Sequence, residues 1–221
     1  MFNNIAHSYD FLNHFFSMGI DKKWRKKLVA KVEERNPVSI LDVATGTADL
    51  AISLATINSV KIHGIDISAN MLEVGKKKIL KHKLSDKVVL SLGDSENIQF
   101  PEASFDAVTV SFGVRNFENL NSGLKEMRRV LTVNGRAYIL EFSQPSNLLF
   151  KKLYWFYFKN LMPFIGKLIS KDYSAYSYLP ESVKSFPYGV AFLDKLKEAG
   201  FSNCKQIPLT FGIATLYIAE K

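Results

Sequence analysis

Cysteine is almost missing from this 221-residue chain: Cys204 is the only one. A disulfide framework and a cysteine-rich metal site are therefore both excluded within one chain, and the usage fits a reducing compartment. No stretch reaches the roughly 20 uninterrupted apolar residues that a membrane-spanning helix needs. The opening residues, Met1 to Asp10, are polar and lack the apolar core and cleavage site of a secretory signal, so a cytoplasmic location is expected. Two nucleotide-binding signatures are also missing. There is no Gly-x-Gly-x-x-Gly to seat a pyrophosphate and no Gly-Lys-Ser/Thr to complete a P-loop. Internal repeats and low-complexity tracts are absent as well.

What is present supports a packed core. Apolar residues make up 47% of the chain, and the length fits one α/β domain with additions. The formal net charge of +8 points to a nucleic acid, an anionic membrane surface or an acidic ligand without choosing among them. Short basic runs such as Lys76-Lys77-Lys78 read as solvated helix faces.

Along the chain, Trp24, Leu28 and Val32 recur at helical spacing up to Arg35, and Asn36-Pro37 breaks the helix. A β-branched run, Val38 to Val43, opens an alternation of strand and helix patterns. Strands are expected at Val60 to Asp66, Val88 to Gly93, Phe105 to Phe112 and from Asn134-Gly135 to Phe142. Helices are expected at Ala69 to Lys83 and Leu120 to Leu131. Alternation of this kind predicts an α/β fold with a mostly parallel sheet covered on both faces. After an aromatic-rich segment, Leu148 to Ile169, a helix is expected from Tyr188 to Ala199, stopped by Gly200. Two last strands, Phe201 to Ile207 and Thr210 to Ala219, are separated only by Pro208 and Leu209. They must pair as a hairpin, since a parallel crossover needs a dozen or more residues. The expected division is a helical lid over 1–36 and a main domain over 37–221 with a helical insertion at about 147–187.

The strongest local signal is Ile40-Leu41-Asp42-Val43-Ala44-Thr45-Gly46-Thr47-Ala48-Asp49-Leu50. An apolar strand ends in small residues and a helix begins, where backbone N–H groups and a partial positive charge can meet a ligand. A side chain at Gly46 would obstruct that approach. Asp42 and Asp49 would repel a pyrophosphate and suit a ligand carrying an ammonium and a sulfonium. Asp66 closes the second strand about 20 residues on, the spacing at which an acid takes both ribose hydroxyls. Ser68 is better placed than Asp66 to cap the following helix. Gly93-Asp94-Ser95 closes the third strand, where an aspartate can accept from the exocyclic amine of adenine. The bland alternatives are a tight βα turn without a ligand and an ordinary Gly-Asp turn.

These residues resemble the class I S-adenosylmethionine-dependent methyltransferases, and further blocks resemble the UbiE/MenG family of quinone-biosynthesis C-methyltransferases. The blocks are Asp42-Val-Ala-Thr-Gly-Thr-Ala-Asp49, Gly64-Ile-Asp66-Ile-Ser-Ala-Asn-Met71, Phe112-Gly-Val-Arg-Asn116, Glu126-Met-Arg-Arg-Val-Leu131, Leu140-Glu-Phe-Ser-Gln-Pro145, Tyr176-Ser-Tyr-Leu-Pro-Glu-Ser182 and Leu209-Thr-Phe-Gly212. The resemblance spans the chain from Tyr9-Asp10 to Lys221. It implies a Rossmann-like class I fold, a seven-stranded sheet with an antiparallel C-terminal hairpin, and contacts of Thr47, Asp66, Asp94, Ser95 and Ser111 with S-adenosylmethionine, with no metal. It implies demethylmenaquinol or a 2-polyprenyl-6-methoxy-1,4-benzoquinol as acceptor. Two positions depart from the pattern. Ala48 stands where the family usually has glycine, which puts a glycine-like turn geometry there in doubt. Asp21 stands where the family usually has histidine, and no role is assigned to it.

Ring methylation by a sulfonium is an in-line displacement that needs alignment and an electron-rich acceptor, hence the quinol rather than the quinone. Arg115 stays protonated, so it is expected to stabilise a phenolate while Asn116 orients an oxygen. The alternative for Arg115 is an ion pair that holds its loop, with Glu141 as the partner. His7 and Asp10, with Tyr9, are lid candidates for acceptor chemistry. The segment 148–169 offers aromatic surface and lysines for an isoprenoid tail and for peripheral contact with the inner face of the cytoplasmic membrane, or else packs on the core or in a homodimer. No nucleic-acid partner is expected, since no RNA-recognition motif or KH loop occurs.

Overall fold

The computed structural model describes residues 19–145, 152 and 181–221. Its centre is a seven-stranded sheet in the order β3-β2-β1-β4-β5-β7-β6. The strands are β1 (Ser39–Val43), β2 (Lys61–Asp66), β3 (Val88–Leu92), β4 (Phe105–Ser111), β5 (Leu131–Phe142), β6 (Ser202–Leu209) and β7 (Ala214–Glu220). The first five run parallel. β7 is antiparallel to both of its neighbours, β5 and β6, as the short connection between the last two strands requires.

Among the described residues, the helices α1 (Ile20–Glu33), α2 (Asp49–Leu54), α3 (Ala69–Lys81), α4 (Leu120–Val130) and α5 (Val190–Glu198) cover the sheet. Strand side chains alternate between the faces, as a period of two dictates. Ile40, Ile62, Tyr138 and Leu140 pack with Leu28 and Val32 of α1, Leu50 of α2 and Ile79 of α3. Leu41, Val43, Val108 and Ile139 face the other way, onto Leu124 and Met127 of α4 and Phe192 and Leu196 of α5. Of the segment expected as a lid, α1 is described, and its Leu28 and Val32 are fully buried in the core.

Several boundaries differ from the sequence reading. β5 begins at Leu131, before the Asn134-Gly135 turn, because that turn is absorbed as an irregularity: Phe105 pairs with Leu131 and Ala107 already with Arg136. Pro208 lies within β6, where its missing N–H is tolerated because β6 is the edge strand. The hairpin turn is Thr210–Gly212, not Pro208-Leu209. Helix α3 stops at Lys81, with His82 as its C-cap.

The parallel arrangement brings the carboxyl ends of β1 to β5 to one edge of the sheet. β7 enters there, since Ala214 pairs with Phe142. The site forms along this edge.

Candidate active site

At the tip of β1 the chain must turn sharply into α2, and it does so through left-handed residues: Ala44 (φ 52°), Gly46 (φ 55°) and Ala48 (φ 65°). Ala48 thus adopts the glycine-like geometry that its side chain put in doubt. Its methyl is fully buried, and it lies so close to α3 that a β-carbon on Gly75 would approach it to 3.2 Å, which explains the glycine there. The loop is cross-tied to the next strand: Thr45 N–H donates to Ile65 O at 2.9 Å, and Gly46 N–H donates to Asp66 Oδ2 at 2.8 Å.

Asp66 also accepts from Ser68 N–H, on Oδ1 at 2.8 Å. With Ile67 N–H as a further backbone partner, the carboxylate is oriented by the chain on both sides, and its two oxygens still have lone-pair capacity for hydroxyl donors. Burial pushes its pKa up against these backbone hydrogen bonds. Ser68 caps α3, accepting from Met71 N–H at 3.3 Å. At the tip of β3, Asp94 is exposed and accepts from Glu96 N–H at 2.9 Å.

Asp42 differs from the other two acids. It is 1% exposed, and both of its oxygens accept hydroxyls, from Thr45 Oγ1 at 2.6 Å and Thr109 Oγ1 at 2.7 Å. Burial raises its pKa to about 6, with the nearby Asp66 charge adding to the rise and the two threonines and Arg25 opposing it.

Two adjoining cavities follow the strand tips. The larger, about 260 Å³, takes in Gly46, Asp66, Asp94, Ser95, Ser111 and Asn116. The smaller, about 50 Å³, takes in Arg25, Asp42, Gly46, Thr47, Asp49 and Ser111. Ala44, Gly46, Ser111 and Phe112 border both, so the two are one cleft constricted in the middle. All seven donor-site candidates, Asp42, Gly46, Thr47, Asp66, Asp94, Ser95 and Ser111, line it. At the constriction Ser111 Oγ is buried and has no hydrogen-bond partner, a cost that a ligand would relieve.

The Phe-Gly-x-Arg-Asn block follows β4 and ends in a 3-10 turn, Val114–Asn116. Its glycine is required by a close approach: a β-carbon on Gly113 would lie 2.7 Å from the methyl of Ala44 in the donor loop. Asn116 lines the larger cavity and Arg115 does not. Arg115 Nη1 donates to Glu141 Oε1 at 2.8 Å and to Phe112 O at 2.6 Å, the ion-pair arrangement named as the alternative. Glu141 is fully buried. The guanidinium also sits over the Phe142 ring, 5.4 Å from its centre, and its Nε is buried without a partner. Next to it Phe112, Phe142 and Trp24 form an aromatic cluster, with Phe112 and Phe142 centres 4.5 Å apart. Among the described residues, no group of three or more His, Cys, Asp or Glu is placed to hold a metal.

His7, Tyr9 and Asp10 lie outside the described residues, as does 148–169 apart from Lys152. Phe112 and Arg25 line the cleft without having been singled out from the sequence. Arg25 is hidden in the basic run Lys22-Lys23-Trp24-Arg25-Lys26-Lys27. The available signal was an acid at i−4, Asp21, beside a tryptophan.

The model of the ubiE/COQ5 methyltransferase family matches residues 1–221. The chain is 45% identical to a demethylmenaquinone methyltransferase of Bacteroides fragilis over 222 residues, covering all of this chain and 91% of that one. It is 47% identical over 223 residues to the ubiquinone/menaquinone biosynthesis C-methyltransferase UbiE of Geotalea uraniireducens, covering all of this chain and 94% of that one. Among solved structures, a SAM-dependent methyltransferase from Aquifex aeolicus superposes with a TM-score of 0.63 at 16% identity, over 87% of this chain and 88% of that one, a likeness of fold.

Proposed function

The chain belongs to the ubiE/COQ5 methyltransferase family, and from that premise we propose that it moves a methyl group from S-adenosylmethionine to a ring carbon of a prenylated quinol, demethylmenaquinol first among them. The observation that carries the donor half is the single cleft in which carboxylates from three neighbouring strand tips meet. The acceptor half rests on relatives over the whole chain length that bear demethylmenaquinone methyltransferase names. The UbiE relatives, whose name also includes ubiquinone, favour 2-polyprenyl-6-methoxy-1,4-benzoquinol as a second acceptor.

The residues present fit the donor. Asp66 keeps acceptor capacity for the ribose hydroxyls, and Asp94 at the next strand tip stands ready for the adenine amine. Ser111 gains the partner it lacks. Thr47 and Asp42 wall the smaller cavity, where the amino-acid end fits. The donor supplies an activated methyl on a sulfonium. The protein supplies alignment, exclusion of water and charge around the acceptor oxygen.

For the acceptor, Asn116 is the member of the Phe-Gly-x-Arg-Asn block whose polar side chain lines the cavity, and it orients a ring oxygen. Arg115, clamped by Glu141 and Phe142, puts a fixed positive charge behind that wall and favours the phenolate, which enriches the attacked carbon. His7 and Asp10 are the proposed lid groups. Among the described residues no helix is long and apolar enough to cross a membrane. Peripheral docking of 148–169 on an anionic surface would deliver the lipid-soluble acceptor.

The deciding experiment offers labelled S-adenosylmethionine with reduced demethylmenaquinone and with the benzoquinol side by side. Methylated naphthoquinol as the main product is expected; product from the benzoquinol alone would reverse the choice, and no product from either would end the acceptor assignment. Salt-sensitive co-sedimentation with phosphatidylglycerol vesicles is expected, and failure to sediment would remove the docking role.

A further inference from the structure

The amino-acid end of the donor carries a carboxylate as well as an ammonium, and a cleft lined by acids needs a cation to receive it. In the smaller cavity Arg25 is the one cationic side chain among the described lining residues. It reaches the cavity from α1, not from the sheet, and its side chain is only 10% exposed. Asp21, one turn earlier on the same helix and 2% exposed, holds it at 2.7 Å. Asp49, the first residue of α2, lies 3.3 Å from the same guanidinium.

Both contacts fall on one nitrogen, Nη2. A guanidinium presents five N–H donors in a planar fork, so the Nε and Nη1 donors are left for a further anion. Asp49 does not use up the charge of Arg25, because Lys78 Nζ sits 2.6 Å from its other oxygen and 3.0 Å from Thr47 Oγ1. Asp42 lines the same cavity, and the Arg25 charge makes a small contribution in favour of its ionised form. The small chamber therefore offers a buried cation and a buried acid together, a match for a zwitterion.

We propose that Arg25 receives the α-carboxylate of the donor's methionine end, and that Asp21 is the positioning residue that holds the guanidinium to the cavity wall. The assignment rests on the reading of the two cavities as the donor site. It gives a purpose to Asp21, the position that departs from the family pattern.

The test uses the full chain and two ligands that differ by one group: S-adenosylhomocysteine and its decarboxylated analogue, S-adenosyl-3-thiopropylamine, each titrated by calorimetry. The wild type should prefer the carboxylate-bearing ligand. Arg25→Gln should weaken S-adenosylhomocysteine by about 10- to 100-fold, the worth of a hydrogen bond to a charged group, and leave the amine's Kd nearly unchanged. Asp21→Asn should give a smaller loss with the same selectivity. Because Asp21 is buried against Arg25, the pair Asp21→Asn/Arg25→Gln is measured in parallel and should show the same selective loss if the single variant folds poorly. Equal weakening of both ligands, or no weakening of either, overturns the proposal. A wild-type protein that binds neither ligand sinks the donor-site reading itself, a result distinct from loss of selectivity.

Discussion

Arg115 and Glu141 meet at 2.8 Å behind the acceptor wall, with the arginine side chain 6% exposed and the glutamate fully buried. Removing one partner strands the other without solvent. Arg115→Ala should cost about 3–5 kcal/mol in urea unfolding, whereas Arg115→Met combined with Glu141→Gln should cost much less. The double variant is then the right protein for kinetics. Its turnover should fall by orders of magnitude with donor affinity kept; near-normal turnover would leave the pair a purely structural role.

Asp42 makes stability depend on pH in the direction opposite to most carboxylates. Its native pKa of about 6 stands above the ordinary 3.8 because burial penalises its charge. The native state holds a proton there that the unfolded chain releases first, so this contribution is full below about pH 4 and is lost as pH rises through about 6, a change of roughly 3 kcal/mol. Asp42→Asn should remove that component, read as the difference between wild type and variant in urea unfolding at pH 4.5 and 7. Donor binding should strengthen over the same interval in the wild type and stay flat in the variant.

Gly113→Ala tests the contact between the two loops. The new methyl meets Ala44 at 2.7 Å and Val110 Cγ1 at 3.1 Å, both in packed surroundings. A loss of about 1–3 kcal/mol in stability is expected from overpacking, together with weaker donor binding, because Ala44 belongs to the donor turn. Unchanged calorimetric affinity would show that the turn gives way without consequence.

Trp24 Nε1 donates to Thr210 Oγ1 at 2.8 Å. Thr210 is a β-branched residue at φ 44°, followed by Phe211 at φ 57°, both in the left-handed region that such side chains avoid. Trp24→Phe removes the bond that helps hold this turn and should lower stability by about 1–2 kcal/mol. A variant as stable as the wild type would show that Ser143, which binds Gly212 O through Oγ and Ile213 O through N–H, holds the turn alone.

The sheet was legible because each strand is an apolar run closed by small or acidic residues, and a link of a few residues between the last two strands permits only a hairpin. The donor acids were legible for the same reason: Asp66 and Asp94 end strands, and strand ends gather at one edge. The orientation of Asp42 was not, because it depends on two threonine hydroxyls, one of them 67 residues away on β4. The commitment of Arg115 to Glu141 was one of two readings the sequence left open, since Arg115 follows β4, Glu141 lies near the end of the neighbouring β5, and only packing decides between them. Arg25 was invisible among lysines, because a basic run looks the same whether one member turns inward or all face water. The β5 boundary was missed because Asn134-Gly135 reads as a turn, and only its register opposite β4 shows that the strand resumes through it.

Helix α1 carries one wall of the donor chamber, and what secures that helix to the turn beside it comes from 186 residues further on. β7 is not an ornament on the sheet's margin but is inserted between β5 and β6. A chain emerging from the ribosome therefore has its adenosine half in place long before its methionine half is braced. Contacts this distant in sequence are slow to form, so donor capture should await synthesis of β7, and ribosome-bound chains lacking the β6–β7 hairpin should fail to retain S-adenosylhomocysteine.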